Sequence, residues 1–424
     1  MQKNLTLTET AQELGVSVDT IRRWEKKGLI KASRSELNHR LFNLDEVIRV
    51  HNKVTGNADG TNYYKILKAK KKKKTPYTCI DLFAGAGGTA LGLENAGIKH
   101  AMLNEKDKHA AQTLRANRPK WNVIEDDIAN VDFTPYASKV DIVEGGFPCQ
   151  TFSYAGKKAG FEDTRGTMFY EFARAVKEIR PKIAIGENVR GLLSHDNGRT
   201  LNIMVGILQD LGYKVAYRVH KAQYYDVPQK RERLLIFAIR DDIKNDIVFP
   251  KEKDYTISLR EALENCPPSE GQLYSEKKKS MMDLVPEGGY WRDLPVDIQK
   301  EYMMASYYMG GGKTGMARRL SWSEPSLTLV CTPAQKQTER CHPGETRPLN
   351  VREYARIQTF PDDWQFSGSV SAQYKQIGNA VPVNLGYYMG LAAAAMITGE
   401  YDDGQFVSVE PLPLVQSIDN QPDE

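Results

Sequence analysis

The sequence Asp81-Leu82-Phe83-Ala84-Gly85-Ala86-Gly87-Gly88-Thr89-Ala90 places a glycine-rich turn directly after a short apolar run. Its spacing fits the pattern G-x-G-x-x-A, in which the glycines permit a tight turn and let a ligand approach the backbone closely. A helix that begins after such a turn offers free N–H groups to the ligand. The stretch therefore predicts a strand, a ligand-binding turn and a helix.

Short apolar runs alternate with helical stretches from about Tyr77 onward. The runs are Cys79-Ile80-Asp81, Ala101-Met102-Leu103, Asp141-Ile142-Val143, Ile183-Ala184-Ile185 and Leu234-Leu235-Ile236-Phe237. This alternation is typical of an α/β fold in which helices cover both faces of a mainly parallel sheet.

The rest of the chain is divided by its composition. Regular alternation stops after Arg240 and helical periodicity returns near Val351, which predicts an irregular domain in between. The predicted segments are a helical module (1–51), a basic linker (52–76), an α/β domain (77–240), an irregular domain (241–350), a return to the α/β domain (351–400) and a loose polar tail (401–424).

Basic charge is concentrated near the N-terminus. Residues 1–76 hold 17 Lys and Arg against 8 Asp and Glu, a net +9, whereas the whole chain of 424 residues has a net charge of +4. The N-terminal segment is therefore suited to neutralising phosphates. The α/β domain, which is acidic on average, needs a local basic cleft to bind the same kind of partner.

The cysteine content and the apolar runs exclude several classes of protein. The 5 cysteines have no zinc-ligand spacing, so we predict no metal site and no disulfide framework, as expected in a reducing cytoplasm. The start of the chain lacks the apolar region of a secretory signal. The longest apolar run, Gly390 to Ile397, is too short to span a bilayer, so no membrane partner is expected.

Residues 1–51 have the pattern of a helix-turn-helix. Thr6 or Thr8 is placed to cap a first helix, Gly15-Val16 forms a turn, and Ser17 caps a second helix. Basic residues lie on or near the polar face of this second helix, and further arginines lie in a wing-like segment beyond it. The alternative is a helical interaction module whose charges are merely solvated. We predict contacts with DNA for Arg22, Arg23, Lys26 and Arg40.

An acidic residue follows the second apolar run. Glu105 lies 20 residues after Gly85, where a carboxylate accepts hydrogen bonds from ribose hydroxyls in nucleotide-binding folds. The turn and this carboxylate together predict a nucleoside-type cofactor. They do not by themselves separate NAD from S-adenosylmethionine.

Three polar motifs follow apolar runs further along the chain. They are Pro148-Cys149-Gln150, Glu187-Asn188-Val189 and Gln229-Lys230-Arg231-Glu232-Arg233. A thiolate is a strong nucleophile, and a carboxyl group and a guanidinium stabilise charge that develops on a ring under attack. Taken singly, the cysteine is more often a small buried residue and the glutamate a surface charge.

Together and in this order, these motifs resemble the DNA (cytosine-5) methyltransferase family over about Tyr77 to Thr398. The resemblance implies a Rossmann-like S-adenosylmethionine-dependent fold with a smaller target-recognition domain. It also implies that Cys149 adds to C6 of a flipped cytosine, that Glu187 acts at N3 and that Arg233 donates to O2, with Arg231 serving the loop or a phosphate. Each of these residues also has a structural explanation.

The resemblance further assigns the cofactor site. It implies that Phe83 packs on S-adenosylmethionine, that Glu105 binds the ribose and that Asp127-Ile128 meets the adenine. The Gly378-Asn379-Ala380-Val381-Pro382 segment is expected to fold back to the same site. Lys106 departs from the family, in which an apolar residue usually follows that glutamate. The full predicted set is Phe83, Gly85, Gly87, Glu105, Asp127, Ile128, Pro148, Asn379 and Ala380.

Contacts with double-stranded DNA are expected from several parts of the chain. Phe161 to Thr167 matches a family loop that closes over the substrate, and Arg352 to Pro361 matches a motif that organises the recognition domain. In the irregular domain, a glycine-flanked basic cluster is expected to meet base edges or phosphates. The predicted residues are Gln150 and Ser153, shortly after Pro148-Cys149, and Arg318, Arg319 and Thr328 in the irregular domain.

Leu7 to Phe42 is similar to MerR-type helix-turn-helix modules with a short wing. The sequence therefore predicts a cytoplasmic DNA (cytosine-5) methyltransferase. We expect it to be the modification half of a restriction–modification system, paired with a restriction endonuclease. Residues 1–51 are expected to bind promoter DNA or to tether the enzyme. The alternatives are a tRNA cytosine-5 methyltransferase and a DNA-binding regulator on an inactive fold.

Overall fold

The computed structural model describes residues 4–35, 38–55, 74–148 and 167–415. These residues form two compact units, each assembled from several stretches of chain. The first, here called the loop-rich unit, comprises Met1–Lys70, Ala222–Arg231 and Glu252–Pro382. The second, the sheet unit, comprises Lys71–Lys221, Glu232–Lys251 and Val383–Glu424.

The secondary-structure elements are numbered along the described residues. The strands are β1 (Asn4–Thr6), β2 (Ala32–Arg34), β3 (Arg40–Asn43), β4 (Thr78–Leu82), β5 (Lys99–Asn104), β6 (Val123–Ile124), β7 (Ile142–Gly145), β8 (Ile183–Val189), β9 (Tyr213–Lys221), β10 (Gln229–Lys230), β11 (Glu232–Arg240), β12 (Ile247–Pro250), β13 (Ser326–Leu327) and β14 (Phe406–Val409). The α-helices are α1 (Leu7–Glu13), α2 (Val18–Lys26), α3 (Leu44–Thr55), α4 (Gly88–Asn95), α5 (Lys108–Asn117), α6 (Met168–Ile179), α7 (Arg199–Asp210), α8 (Leu259–Leu263), α9 (Glu276–Met282), α10 (Val296–Met303), α11 (Val351–Ile357), α12 (Val370–Asn379) and α13 (Val383–Thr398).

A seven-stranded sheet organises the sheet unit. Its strand order is β6-β5-β4-β7-β8-β11-β9. The first five strands are parallel, whereas β11 runs antiparallel to both β8 and β9. The predicted mainly parallel α/β fold is confirmed, and all five apolar runs form strands of this sheet. Strand β11 is the antiparallel member of this mainly parallel sheet.

Helices and a C-terminal strand complete the sheet unit. Helix α13 packs against α4 so closely that a Cβ on Gly92 would lie 2.5 Å from the carbonyl carbon of Gly386. Strand β14 pairs antiparallel with β12. Further on, the Leu412 N–H donates to the Val215 carbonyl (2.8 Å). The loose tail expected from residue 401 is therefore wrong up to residue 415, because backbone pairing orders a segment whose composition is polar.

The N-terminal module has the predicted helix-turn-helix and wing. Thr6 caps α1 in a capping box with Glu9, and the Ser17 side chain accepts a hydrogen bond from the Thr20 N–H to cap α2. Strands β1, β3 and β2 form a small antiparallel sheet beside the helices. Its core is built by buried residues that include Trp24 and Phe42.

The remainder of the loop-rich unit has little regular pairing. A second apolar cluster contains Met282, Trp291, Met303 and Met316. The segment 351–382, which the sequence assigned to a return of the α/β domain, clusters with this unit, and the return begins at Val383.

One stretch of helix, Val370–Thr398, is long and apolar enough to cross a membrane. Within it, 83% of the most apolar window is buried inside the protein, as in a core helix.

Candidate active site

The glycine-rich turn joins β4 to α4 in an unusual backbone conformation. Gly85 and Gly87 have φ of 55° and 86°, and Phe83, which is not a glycine, has φ of 59°. Positive φ is accessible to glycine and rare for a residue such as Phe, so it marks a constrained position. The turn ends at the N-terminus of α4, where backbone N–H groups have no partner within the helix.

Glu105 is fixed between this turn and the next helix. Its Oε2 accepts the Gly85 N–H and its Oε1 accepts the Asp107 N–H, both at 2.7 Å. A carboxylate oxygen has a second lone pair, so each can still accept a ligand hydroxyl. The turn and Glu105, which the sequence predicted separately, thus form one cradle.

Lys106 bridges to the predicted adenine-contacting residue. Its Nζ lies 2.6 Å from Asp127 Oδ2, and its own side chain is 74% exposed. The hydrogen bond from Lys106 lowers the pKa of Asp127, and the same contact raises the pKa of Lys106. Ile128 beside it is buried. The family departure at Lys106 therefore replaces an apolar cover by an ion pair at the rim of the cradle.

The Glu187 carboxylate and the Arg233 guanidinium are in contact, near the end of β8 and the start of β11. Arg233 Nε lies 2.6 Å from Glu187 Oε1, and both side chains are only about a tenth exposed. Glu187 pairs with Leu235 and Arg233 with Val189, so the two lie on one face of the sheet. A Cβ on Gly146 would lie 3.1 Å from Glu187 Oε2, so a side chain at this position would crowd the carboxylate.

The loop that precedes the predicted nucleophile is tied to the same strand. Asn188 Nδ2 donates to the Phe147 carbonyl at 2.9 Å in a buried contact. Phe147-Pro148 is thereby held beside Glu187. Cys149, Gln150, Ser153 and residues 161–166 of the predicted closing loop lie outside the described residues.

A buried carboxyl pair on this face was missed by the sequence reasoning. Asp81 and Glu144 are register partners on β4 and β7, and each is 1% exposed. Burial raises the pKa of Asp81 to about 7, and it raises the pKa of Glu144 well above its ordinary range. The pair therefore holds a proton near neutral pH. The available signal was an acidic residue in each of two otherwise apolar strands.

In the loop-rich unit, Arg231 binds the main chain. Its side chain is buried, and its two terminal nitrogens donate to the Leu329 carbonyl (3.2 Å) and the Gly378 carbonyl (3.1 Å). Gln358 Nε2 donates to the carbonyls of Ile377 (2.7 Å) and Ala380 (3.1 Å). Together they fix the backbone on both sides of Asn379.

The two predicted arginines of the irregular domain have different environments. Arg319 donates to the carbonyls of Met282, Val285, His342 and Glu345 and to the Thr346 hydroxyl. Its guanidinium is therefore fully used inside the protein, and the expectation of a DNA contact by Arg319 does not fit this environment. Arg318 is half-buried with its guanidinium 6.0 Å from the Tyr290 ring centre.

Thr328 is anchored by both of its oxygens. Its hydroxyl donates to the Lys230 carbonyl at 2.7 Å, and its carbonyl accepts from Arg340. Thr328 is thus joined to Lys230 of the Gln229-Lys230-Arg231 motif within the loop-rich unit.

The predicted DNA-contacting residues of the N-terminal module are mostly paired. Arg22 lies 3.4 Å from Asp19, and Arg40 lies 3.1 Å from Glu25. Arg23 is half-buried against Glu252, whereas Lys26 is exposed. In the part of the chain that the structure describes, no group of three His, Cys, Asp or Glu side chains is placed to hold a metal ion.

Comparison with known proteins matches two families. The profile of the C-5 cytosine-specific DNA methylases matches residues 77–393, and that of the MerR family regulatory proteins matches residues 6–42. Type II methyltransferase M.Eco47II of Escherichia coli is 55% identical over 94% of this chain and 97% of its own length. Type II methyltransferase M.PspPI of Psychrobacter is 62% identical over 77% of this chain and 81% of its own.

Among solved structures, a methyltransferase encoded within an Escherichia coli prophage covers 76% of this chain and 99% of its own, with a TM-score of 0.55 and 22% identity. At this identity the likeness concerns the fold alone.

Proposed function

The chain belongs to the C-5 cytosine-specific DNA methylase family, and from that premise we propose that it methylates cytosine through a covalent Cys149 adduct. It is a DNA cytosine-5 methyltransferase with a MerR-like N-terminal module. The observation that carries the proposed mechanism is the Glu187–Arg233 pair beside Phe147-Pro148, the residues directly before Cys149.

Cys149 supplies the nucleophile in this mechanism. The C5 atom of cytosine is a poor nucleophile, and a thiolate that adds to C6 turns the ring into an enamine. The S–C6 bond forms, the C5=C6 π electrons move toward N3 and O2, and C5 becomes reactive. After C5 is methylated, loss of its proton re-forms the double bond and expels the Cys149 thiolate.

Glu187 and Arg233 stabilise the charge that this addition creates. A protonated Glu187 donates to N3, and Arg233 donates to O2, so the negative charge meets donors in a partly water-excluded site. Arg233 holds Glu187 through one carboxylate oxygen, Oε1. Arg231, which the family resemblance assigned to the loop or a phosphate of the same site, is proposed instead to position the Leu329 and Gly378 backbones.

The cradle fits S-adenosylmethionine, which members of this family use and which supplies the electrophilic methyl group. Positive φ at Gly85 and Gly87 lets the backbone approach a ligand, and Glu105 has lone pairs left for ribose hydroxyls. Phe83, Asp127, Ile128 and Pro148 are proposed to complete the site. Asn379 and Ala380, which belong to the loop-rich unit, are proposed from the family resemblance alone.

The substrate is proposed to be double-stranded DNA read at a specific sequence. The target cytosine must leave the base stack, because thiolate attack at C6 needs access to the ring face. Gln150, Ser153, Arg318 and Thr328 remain proposed contacts. The identity to Type II methyltransferases over nearly the whole chain favours DNA over tRNA and an active enzyme over a regulator.

The cellular role is proposed to be the modification half of a restriction–modification system, paired with a restriction endonuclease. The Type II methyltransferases similar to this chain support this role. The MerR-like module supports a second role, in which residues 1–51 bind promoter DNA and regulate expression.

The first test is methyl transfer itself. The purified protein is incubated with labelled S-adenosylmethionine and genomic DNA, beside a Cys149→Ser variant and a tRNA substrate. We expect label in DNA only, none with the variant, and 5-methylcytosine at one sequence by bisulfite sequencing. Label in tRNA alone, or equal label with Cys149→Ser, would contradict the proposal.

A further inference from the structure

The N-terminus of α2 is buried against another segment of the loop-rich unit. Ser17 and Thr20 are both 0% exposed, and their hydroxyls contact the hydroxyl of Thr256. The Thr256 N–H also donates to Thr20 Oγ1 at 3.0 Å. The first turn of α2 is therefore covered from outside the module by a residue more than two hundred positions away in sequence.

The backbone of the turn between α1 and α2 is held by the same segment. Ser258 Oγ donates to the Gly15 carbonyl at 2.6 Å. Val16 forms an antiparallel bridge with Ile257. Residues 256–258 thus contact the module alternately through side-chain hydroxyls and the backbone. We call residues 252–258 the strap.

Acidic residues of the strap meet the basic side of α2. Arg23 lies 3.5 Å from Glu252 and stacks on Tyr224 with 3.5 Å between its guanidinium carbon and the ring centre. Lys27, directly after α2, pairs with Asp254. In a helix-turn-helix, cations such as these bind DNA phosphates. Here Glu252 and Asp254 take the place of the phosphates.

This arrangement conflicts with DNA reading by α2. A helix-turn-helix places the N-terminal residues of its second helix against base edges in the major groove. Here Ser17 and Thr20, in the first turn, are buried under Thr256, and Arg23 and Lys27 are paired with carboxylates of the strap, whereas Arg22 is exposed. In the docked state the face of α2 that carries Ser17, Thr20 and Arg23 is therefore blocked from a DNA groove.

We propose that residues 252–258 are an intramolecular lock on the helix-turn-helix, so that the docked state and promoter binding exclude each other. The lock rests on the proposed promoter-binding role of residues 1–51. The free energy of docking must be overcome before DNA binds, which lowers the apparent promoter affinity by the fraction of undocked molecules. Methylation, which uses other residues, proceeds in the docked state.

A reversible cross-link tests the lock in the full chain. Because the Ser17 and Thr256 hydroxyls are in contact, Ser17→Cys with Thr256→Cys places two thiols within reach of a disulfide. The probe is a duplex carrying the DNA upstream of the chain's own coding sequence, in an excess of unrelated duplex. We expect the oxidised double variant to lose promoter binding, to recover it on reduction, and to methylate its recognition sequence in both states. Each single-cysteine variant, oxidised in the same way, is the control.

Release variants test the lock in the other direction. Glu252→Gln with Asp254→Asn removes the acidic partners of Arg23 and Lys27. Thr256→Val removes the buried hydroxyl, and Thr256→Ser is its matched control. We expect the release variants to bind the promoter duplex about five- to tenfold more tightly than wild type, in the range of ordinary coupling between sites. Thr256→Ser is expected to behave as wild type.

The outcomes separate the lock from the promoter role. Equal promoter binding by the oxidised, reduced and release forms overturns the lock and leaves the promoter role intact. Absence of promoter binding in every form, including the release variants, overturns both and identifies the docked module as a brace of the loop-rich unit.

Discussion

In the sheet unit Arg233 binds a carboxylate, whereas in the loop-rich unit Arg319 binds main-chain carbonyls. The sheet unit satisfies its backbone in a seven-stranded ladder, so its charged residues at the strand ends are available for chemistry. The loop-rich unit has few ladders, and its buried carbonyls need other donors. Arginine supplies five donors in a fixed fork, which suits it to that role.

The same use of arginine recurs across the loop-rich unit. Arg356 donates to the carbonyls of Ala262, Glu264 and Asn265, and Arg340 donates to that of Thr328. Arginine in an irregular region is therefore weak evidence for a nucleic-acid contact. An arginine placed by a strand next to a buried carboxylate is stronger evidence for a reaction site.

The largest effect is expected for Glu187→Gln. The amide keeps the size of the side chain but not its acid, so kcat should fall by about 10²- to 10⁴-fold. The free energy of unfolding should change little, since an amide of the same size keeps its oxygen next to the Arg233 guanidinium. Methyl transfer and denaturant titration measure the two quantities. Glu232→Gln, at the start of the adjacent strand β11 and paired at the surface with Arg190, is the control and should retain activity. Full activity of Glu187→Gln would break the comparison between the two units.

Arg319→Met is expected to act through stability instead. It leaves buried carbonyls without donors, which should lower the free energy of unfolding by about 3–5 kcal/mol. The adjacent Arg318→Met should change stability by less than about 1 kcal/mol and weaken DNA binding. Denaturant titration and a duplex-binding assay separate the two arginines. A stable Arg319→Met variant with weakened DNA binding would show that Arg319 contacts DNA after all.

These differences indicate what the sequence was able to predict. Local sequence patterns predicted the five central strands of the sheet, the glycine-rich turn after β4 and the Ser17 cap. Each of these features depends on residues that are neighbours in sequence. The roles of Arg319 and Arg231 depend on carbonyls far away in sequence, and so does the burial of Ser17 under Thr256. No local pattern reports such partners.

The candidate site was predicted to a similar extent. The sequence grouped Glu187 with Arg233, and the structure brings these two side chains into contact, while their catalytic roles stay predictions. The Asp81–Glu144 pair was missed because its significance arises only when β4 and β7 lie side by side in register. Likewise, strand β14 (Phe406–Val409) was missed because its short apolar sequence lies within a tail that is polar as a whole and becomes a strand by pairing with β12.

The buried Asp81–Glu144 pair of the sheet unit differs from the Glu187–Arg233 pair because burial raises both of its pKa values. Both carboxyl groups have raised pKa values when folded, so the native state binds protons that the unfolded state has lost, and stability falls as pH rises from about 4 through about 7. The slope is at most about 1.4 kcal/mol per pH unit for each proton. Glu144→Gln should flatten this slope and gain stability relative to wild type as pH rises. Urea titrations across that range measure it, with Glu178→Gln as a control. Parallel pH profiles for wild type and Glu144→Gln would show that the pair carries no extra proton.

The smallest effect is expected at the rim of the cofactor cradle, where Lys106→Met removes the partner of Asp127. The Asp127 carboxylate then loses the cation that orients it and lowers its pKa. If Asp127 meets the adenine, KM for S-adenosylmethionine should rise by less than about tenfold while kcat stays unchanged, because an interaction shared by ground and transition state affects binding alone. The increase should shrink at high salt, which already weakens the exposed Lys106–Asp127 pair in the wild type. Lys108→Met, on the first residue of α5, alters the same surface charge without touching Asp127 and should leave KM as it is. A fall in kcat for Lys106→Met would instead mean that Lys106 acts on the reacting groups, and the rim would then belong with Glu187 and Arg233 rather than with the binding surface.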